Sequence, residues 1–176
     1  MRKGFTMIEL IFVIVILGIL AAIAIPRLAA TRDDAEISKA ATNLSTVVSD
    51  LTAYYTSKTN FGASLADMTN VALNLGTGKT GSLQLKSKDC ITITAVDSVA
   101  DEVDATTKKV TKKGTPAYVN LVKASGADPL CDQLAAVPSV AKMLSAEPVY
   151  GKSLDGTKDL KLPAGSYPVG GSNVVY

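Results

Sequence analysis

The chain has 176 residues, 18 of them basic and 16 acidic, and it contains no histidine and no tryptophan. Without histidine, neither a Ser-His-Asp triad nor a Cys-His pair can form, and most zinc sites lose a ligand. The nearly balanced charge also lacks the basic excess of nucleic-acid-binding domains. We therefore expect no metal site, no cofactor and no nucleic-acid partner.

The first predicted element is a helix over residues 5–26, which follows a short basic leader of residues 1–4. An unbroken apolar run from Leu10 to Ile25 dominates this segment. As a helix, the 21 residues from Phe5 to Ile25 would span about 32 Å, which matches a bilayer hydrocarbon core of about 30 Å. Its one charge is Glu9, and a carboxylate in hydrocarbon costs about 2–3 kcal/mol even on lenient scales, so it normally has a partner.

The run Gly4-Phe5-Thr6-Met7-Ile8-Glu9, with the apolar residues that follow it up to Pro26, resembles the class III signal of type IV pilins and type II secretion pseudopilins. The resemblance implies that a prepilin peptidase cleaves after Gly4 and that the new amino group on Phe5 is methylated. It also implies a single-pass protein of the bacterial inner membrane that an assembly platform extracts into a helical filament with itself or with related subunits.

The position of Glu9 gives this resemblance a physical basis. Cleavage after Gly4 would create an ammonium group on Phe5, one helical turn from Glu9, and the Glu9 carboxylate of one subunit could meet the Phe5 amine of its neighbour in a filament core. Removing one partner of such a pair would leave a buried charge, at a cost of about 3–5 kcal/mol. The alternative is a lone acidic residue that reaches the membrane edge.

Gly18 and Pro26 are the two weak points of this helix. Glycine costs about 1 kcal/mol relative to alanine inside a helix, and Pro26 cannot donate to the carbonyl of Ala22, so we expect a kink or an interruption there. The resemblance implies that the segment between Gly18 and Pro26 unwinds in the filament. A simple kink is the alternative.

Residues 27–58 are predicted to continue as an amphipathic helix that forms the spine of a head domain. Its apolar positions recur at spacings of three and four, which indicates a helix with one buried face. They are Ile37, Ala40, Ala41, Leu44, Val47, Val48, Leu51, Tyr54 and Tyr55.

Residues 59–176 are predicted to form a globular α+β head with a small antiparallel sheet. A capping box at Ser64-Leu-Ala-Asp67 predicts a short helix that runs to Leu75 and stops at Gly76. Alternating residues predict strands around 83–85, 91–95 and 117–123, and a closing strand over 173–176. Residues 97–114 are expected to form an exposed loop or hairpin. A second helix begins at Asp128-Pro129, and the remainder after it is expected to be rich in turns.

Cys90 and Cys131 are the only two cysteines. An even pair fits an oxidising compartment and, with the resemblance, places the head in the periplasm; the basic residues on both sides of the span do not decide the orientation. A bridge between them would stabilise the fold by about 4 kcal/mol in the chain-entropy model. Two buried free thiols are the alternative.

Three further patterns resemble binding sites, but we interpret each of them as a turn or a solvent-exposed surface. Gly76-Thr-Gly-Lys79-Thr80 resembles part of a phosphate loop, but the position of its first glycine is occupied by Leu73, so we expect a turn. The acidic residues offer calcium ligands without the spacing of a known loop; they are Asp97, Asp101, Glu102, Asp104, Asp155 and Asp159. The lysines have no interleaved aromatic residue that could stack bases; they are Lys108, Lys109, Lys112 and Lys113.

The sequence therefore predicts a structural filament subunit that is not an enzyme, held in the bilayer before assembly and found afterwards in the periplasm or at the cell surface. The main alternative is a secreted soluble binding protein, because Ala22-Ile-Ala24 resembles an ordinary signal-peptidase site that would release residues 25–176. The charge of Glu9 inside the apolar run argues against that alternative.

Overall fold

The computed structural model describes residues 4, 6–126 and 128–169, and its longest element is the helix α1, Met7–Lys58. The helix continues through Gly18 and Pro26, so the interruption expected at Pro26 is absent. Proline removes one backbone donor and crowds the carbonyl four residues earlier, but the helix is assigned without a break on both sides of Pro26. The helix ends at Lys58, where Thr59 adopts a positive φ of 61°, the left-handed conformation typical of a helix C-terminus.

The chain divides into two compact units, residues 1–36 and residues 37–176. The second unit contains the rest of α1 and every other helix and strand that the structure describes. Its strands are β1 Asn74–Leu75, β2 Thr80–Leu85, β3 Lys88–Val96, β4 Glu102–Val103, β5 Val110–Lys112, β6 Tyr118–Lys123, β7 Val149–Lys152, β8 Asp159–Lys161 and β9 Ser166–Pro168. Its shorter helices are a 3-10 turn at Leu65–Asp67, α2 Pro129–Ala136 and α3 Pro138–Ser145.

A five-stranded antiparallel sheet forms the centre of the second unit, in the order β1-β2-β3-β6-β9. On β3, the buried residues Ile91 and Ile93 alternate with half-buried Thr92 and Thr94, as predicted. One face of the sheet therefore enters the core and the other faces outward. The predicted fold class, a long helix followed by a small antiparallel α+β domain, is confirmed.

The predicted apolar stripe of α1 is confirmed over residues 37–58. Five of its residues are buried in the core, and four more pack against that core while partly exposed. The buried residues are Ile37, Ala40, Leu44, Val47 and Leu51. Leu44, Val47 and Leu51 are fully inaccessible to solvent and share the core with the inner face of the sheet.

The helix predicted between Ser64 and Leu75 is wrong beyond its first turn. The capping box is present, since Ser64 and Asp67 exchange both hydrogen bonds, but it opens only the 3-10 turn. After it, the Thr69 hydroxyl donates to Asp50 and accepts from the backbone N–H of Val71, which takes that N–H away from a helix. Leu75 then pairs with β2 as part of β1.

The region after α2 is more regular than expected. Pro138, which suggested a turn, instead begins α3, a position where proline lacks only a donor that the helix does not use. Two hairpins complete the unit, β4–β5 within the predicted 97–114 segment and β7–β8 further along. The closing strand predicted over 173–176 lies outside the described residues; the last described strand is β9.

The two cysteines form a disulfide that joins β3 to α2. Cys90 and Cys131 are both buried, and their Cα atoms lie 4.9 Å apart. Asp128 caps α2 by accepting from the N–H of Leu130 at 2.9 Å, as the Asp-Pro start predicted. The disulfide therefore fastens a short capped helix to the middle of the sheet.

Candidate functional site

The first half of α1 presents apolar side chains that the molecule does not cover. Fifteen large apolar residues between Met7 and Leu28 are between 41% and 78% exposed. Within the described residues, α1 is the one helix long and apolar enough to cross a membrane, and none of that apolar window is buried. In water such a surface would be costly, and it is of the kind that a membrane anchor presents.

Thr6 and Glu9 form a capping box at the start of this helix. The Glu9 carboxylate oxygen Oε2 accepts from the Thr6 backbone N–H at 2.9 Å and from the Thr6 hydroxyl at 2.7 Å. The Glu9 N–H in turn donates to the Thr6 hydroxyl oxygen at 3.4 Å. The role of Thr6 was not predicted from the sequence, although the spacing Thr-x-x-Glu before an apolar run is the pattern that indicates it.

This arrangement gives the only charge of the apolar segment two donors within its own chain. A charged group that accepts hydrogen bonds is less costly to remove from water than a bare one. The positive end of the helix dipole favours the carboxylate at the same place.

The structure places the other predicted assembly residues along the same segment. Gly4 is exposed, and side-chain atoms added at Gly4 or at Gly18 would meet nothing within 4 Å. Neither glycine is therefore required by packing within one chain. Pro26 lies inside the continuous helix. Phe5, the predicted new N-terminus, lies outside the described residues.

Charged residues appear as soon as the apolar segment ends. Arg32 pairs with Glu36 one turn later, with Nε and Oε1 3.3 Å apart. Arg27, Asp33 and Asp34 lie on the same stretch of α1. This abrupt change marks the boundary that a bilayer surface would require.

The phosphate-loop candidate is a turn, as expected. Gly76 to Thr80 connects β1 with β2, and the Gly76 N–H donates to the Thr80 carbonyl at 2.9 Å. The Lys79 ammonium forms an ion pair with Asp97 instead of pointing into an open loop.

Two of the acidic residues that suggested calcium ligands serve hairpin turns. In the β7–β8 turn, the Ser153 and Thr157 hydroxyls and the Thr157 N–H donate to Asp155 and lower the pKa of its carboxyl to about 2. In the β4–β5 turn, the Thr107 N–H and hydroxyl and the Thr106 N–H lower the pKa of Asp104. No group of three or more potential ligand residues suited to a metal ion occurs in the described part of the chain.

Comparison with known families supports the amino-terminal site and nothing beyond it. Residues 1–25 match the family model described as the prokaryotic N-terminal methylation motif, which is the class III prepilin signal of type IV pilins and pseudopilins. Comparison with curated proteins and with solved structures gave no match. The match includes Gly4, Phe5, Thr6, Glu9 and Gly18 and ends before Pro26.

Proposed function

We propose, from the prokaryotic N-terminal methylation motif at residues 1–25, that this chain is a prepilin-like structural subunit of a type IV pilus or a type II secretion pseudopilus. The observation that carries the proposal is the coincidence of this motif with an apolar helix surface that none of the described residues covers. A bilayer covers that surface before assembly, and the helices of neighbouring subunits cover it afterwards.

Processing removes residues 1–4. Prepilin peptidase cleaves after Gly4, and the new amino group on Phe5 is methylated. Because the space around Gly4 is open, a larger side chain there leaves the fold intact. A block of cleavage by such a side chain would therefore report recognition by the peptidase rather than misfolding.

Assembly exchanges the partner of Glu9. In the membrane, Thr6 supplies two donors to the Glu9 carboxylate. In the filament, the methylated ammonium on Phe5 of a neighbouring subunit supplies an opposite charge, which in a low-dielectric core is the stronger partner. Only a subunit in the right axial register brings the two groups together, so the pair acts as a register lock.

The other parts of the chain follow from this arrangement. Residues 5–26 form the membrane span and later the filament core, with Gly18 and Pro26 as the points where the helix can unwind. Residues 27–58 form the spine, and residues 59–176 form the head, which faces the periplasm and carries the disulfide of Cys90 and Cys131. The partners are the prepilin peptidase, the inner-membrane assembly platform, the lipid bilayer, and other copies or related subunits of the filament.

We assign the subunit no enzymatic activity, no cofactor and no nucleic-acid ligand. The competing function is that of a secreted soluble binding protein, released by signal peptidase near Ala24. A long apolar helix near the N-terminus is compatible with both, but only the filament subunit uses the Thr6–Glu9 capping box after processing.

The mass of the mature N-terminal peptide tests the proposal. Intact-mass and peptide analysis of protein purified from its own cells should find a chain that begins at Phe5 and carries one additional methyl group. A chain that begins at Ile25 would establish the secreted alternative. In a Gly4→Leu variant the leader should remain attached while the head still folds, as shown by an oxidised Cys90–Cys131 pair.

A further inference from the structure

A groove on the head lies between the β4–β5 and β7–β8 hairpins. It has a volume of about 650 Å³ and is lined by residues of both hairpins and of the segment after β5. Its apolar lining is Tyr150, Leu154 and Leu160, and its basic lining is Lys112, Lys113 and Lys158. Leu154 is 52% exposed.

The lysines of this groove are only partly neutralised. Lys112 pairs with Glu102 at 3.4 Å in an exposed contact. Among the described residues, no carboxylate lies within ion-pair distance of Lys113 or Lys158. Asp155 also lines the groove, but its oxygens already accept from Ser153 and Thr157. The groove therefore presents lysine ammonium groups beside apolar side chains. A partner that fits it would carry both acidic and apolar side chains.

A protein segment fits this chemistry better than a nucleic acid or a glycan does. Nucleic acid without base pairing binds through stacked aromatic side chains, and the groove has one aromatic residue, Tyr150. A neutral glycan could use the hydroxyl groups that line the groove, but it would leave the lysine charges without a partner. Apolar side chains between carboxylates would use both the leucine floor and the free lysines.

The chain carries such a segment on its own surface. Residues 99–103, which we call the acidic edge, contain Val99, Asp101, Glu102 and Val103. Val99 is 60% and Val103 51% exposed, and with Leu154 they make up three of the five exposed large apolar residues of the described head. No residue of the acidic edge lines the groove, but Glu102 pairs with the groove residue Lys112 and Asp101 accepts from the backbone N–H of Gly114 at 2.7 Å within the same chain. Both contacts are exposed, so the two carboxylates can exchange them for lysines of a second copy.

We propose that the acidic edge of one subunit docks in the groove of a second copy, as a lateral contact between heads. The two surfaces differ, so the contact is heterologous, and a heterologous contact repeats along an open assembly instead of closing a dimer. This inference rests on the proposed filament function and adds a second interface to the one made by the N-terminal helices.

Engineered cysteines test the contact in assembled filaments. Both native cysteines are bonded to each other, so Val103→Cys and Leu154→Cys would add the only free thiols. Mild oxidation of filaments that carry both substitutions should give a ladder of covalent multimers on a denaturing gel. Filaments mixed from the two single variants should give dimers, which excludes a bond within one chain.

Val122→Cys combined with Leu154→Cys is the matched control, because Val122 is equally exposed but lies on the outer face of β6. A ladder from the Val103 pair and none from the Val122 pair supports the contact. Filaments without a ladder from the Val103 pair overturn it and leave the proposed function in place. A wild-type protein that forms no filaments overturns the proposed function and this inference together.

Charge reversal provides a second test that does not depend on the cysteine variants assembling. Lys113→Glu with Lys158→Glu should lower filament yield about tenfold, because like charges would face each other across the contact. Lys58→Glu with Lys142→Glu makes the same change in net charge away from the groove and should leave the yield unchanged. Equal yields from the two double variants would overturn the contact.

Discussion

The two compact units of this chain use apolar residues in opposite ways. In residues 37–176 the large apolar side chains are mostly buried against one another, whereas in residues 1–36 they are exposed along the helix. In the first unit, the Thr6–Glu9 capping box gives the one charged residue of the apolar segment hydrogen-bond donors at the helix start. Among the described residues, no residue of α1 before Ile37 belongs to the buried core, so the head can derive its stability from its own residues.

The largest effect on the head should come from removing its disulfide. Cys90→Ser with Cys131→Ser should lower the free energy of unfolding of the head by about 4 kcal/mol, because the bond closes a loop between residues 41 positions apart. Chemical denaturation of the exported protein, followed by a head-specific probe, measures this. Because no cysteine lies in residues 1–36, membrane retention should not change. An unchanged denaturation midpoint would show that the bond contributes nothing to the head.

Two leucine substitutions on α1 compare a buried residue of the head with an exposed residue of the apolar segment. Leu44→Ala should lower head stability by about 3 kcal/mol, since Leu44 is fully buried and its removal leaves a cavity. Leu17→Ala, at a residue that is 58% exposed, should leave head stability within about 0.5 kcal/mol of wild type. Equal losses from the two variants would mean that the apolar segment is covered by its own chain.

A smaller effect is expected at the capping box. Thr6→Val should destabilise the first turn of α1 by about 1 kcal/mol, which lowers the hydrogen-exchange protection of amides there about fivefold in detergent micelles. Thr31→Val is the control, because the Thr31 hydroxyl donates only to the carbonyl of Leu28 in its own helix. Equal hydrogen-exchange protection in wild type and Thr6→Val would show that Thr6 does not stabilise the first turn of α1.

The smallest effect is a dependence on pH at the β7–β8 turn. Hydrogen bonds in the folded head lower the pKa of Asp155 from its ordinary value of 3.8 to about 2. The resulting stabilisation is fully present above about pH 4 and is lost as the pH falls toward 2. Asp155→Asn should therefore lose less stability than wild type between pH 4 and 2, as measured by acid titration of the folded fraction. Parallel acid transitions in the two proteins would contradict this.

The parts of the fold that the sequence predicted are those with a strong local period. The buried stripe of α1 and the alternation on β3 follow from periods of 3.6 and 2 residues that tertiary packing reinforces. The two-residue strand β1 and the hairpin β7–β8 have no such period, because short strands are fixed by the partners that they meet in space. Pro138 was misread because proline is compatible with a turn and with a helix start.

The candidate site at the N-terminus could be predicted only in part. The motif that contains Gly4, Phe5 and Glu9 can be recognised directly in the sequence. The role of Thr6 was not predicted, because the charge of Glu9 suggested a partner in another subunit and the nearer donor in the same chain was not considered. The groove could not be predicted, since Lys113 and Lys158 are far apart in the chain and only the two hairpins bring them to one surface.

Filament formation by a Glu9→Ala variant tests whether Glu9 is required for subunits to assemble. The control is Glu36→Ala, because Glu36 is an acidic residue on the same helix but outside the apolar span. The account predicts that Glu9→Ala is processed to Phe5 and held in the membrane but forms no regular filaments in electron micrographs, while Glu36→Ala assembles normally. Regular filaments at wild-type abundance from Glu9→Ala would contradict it.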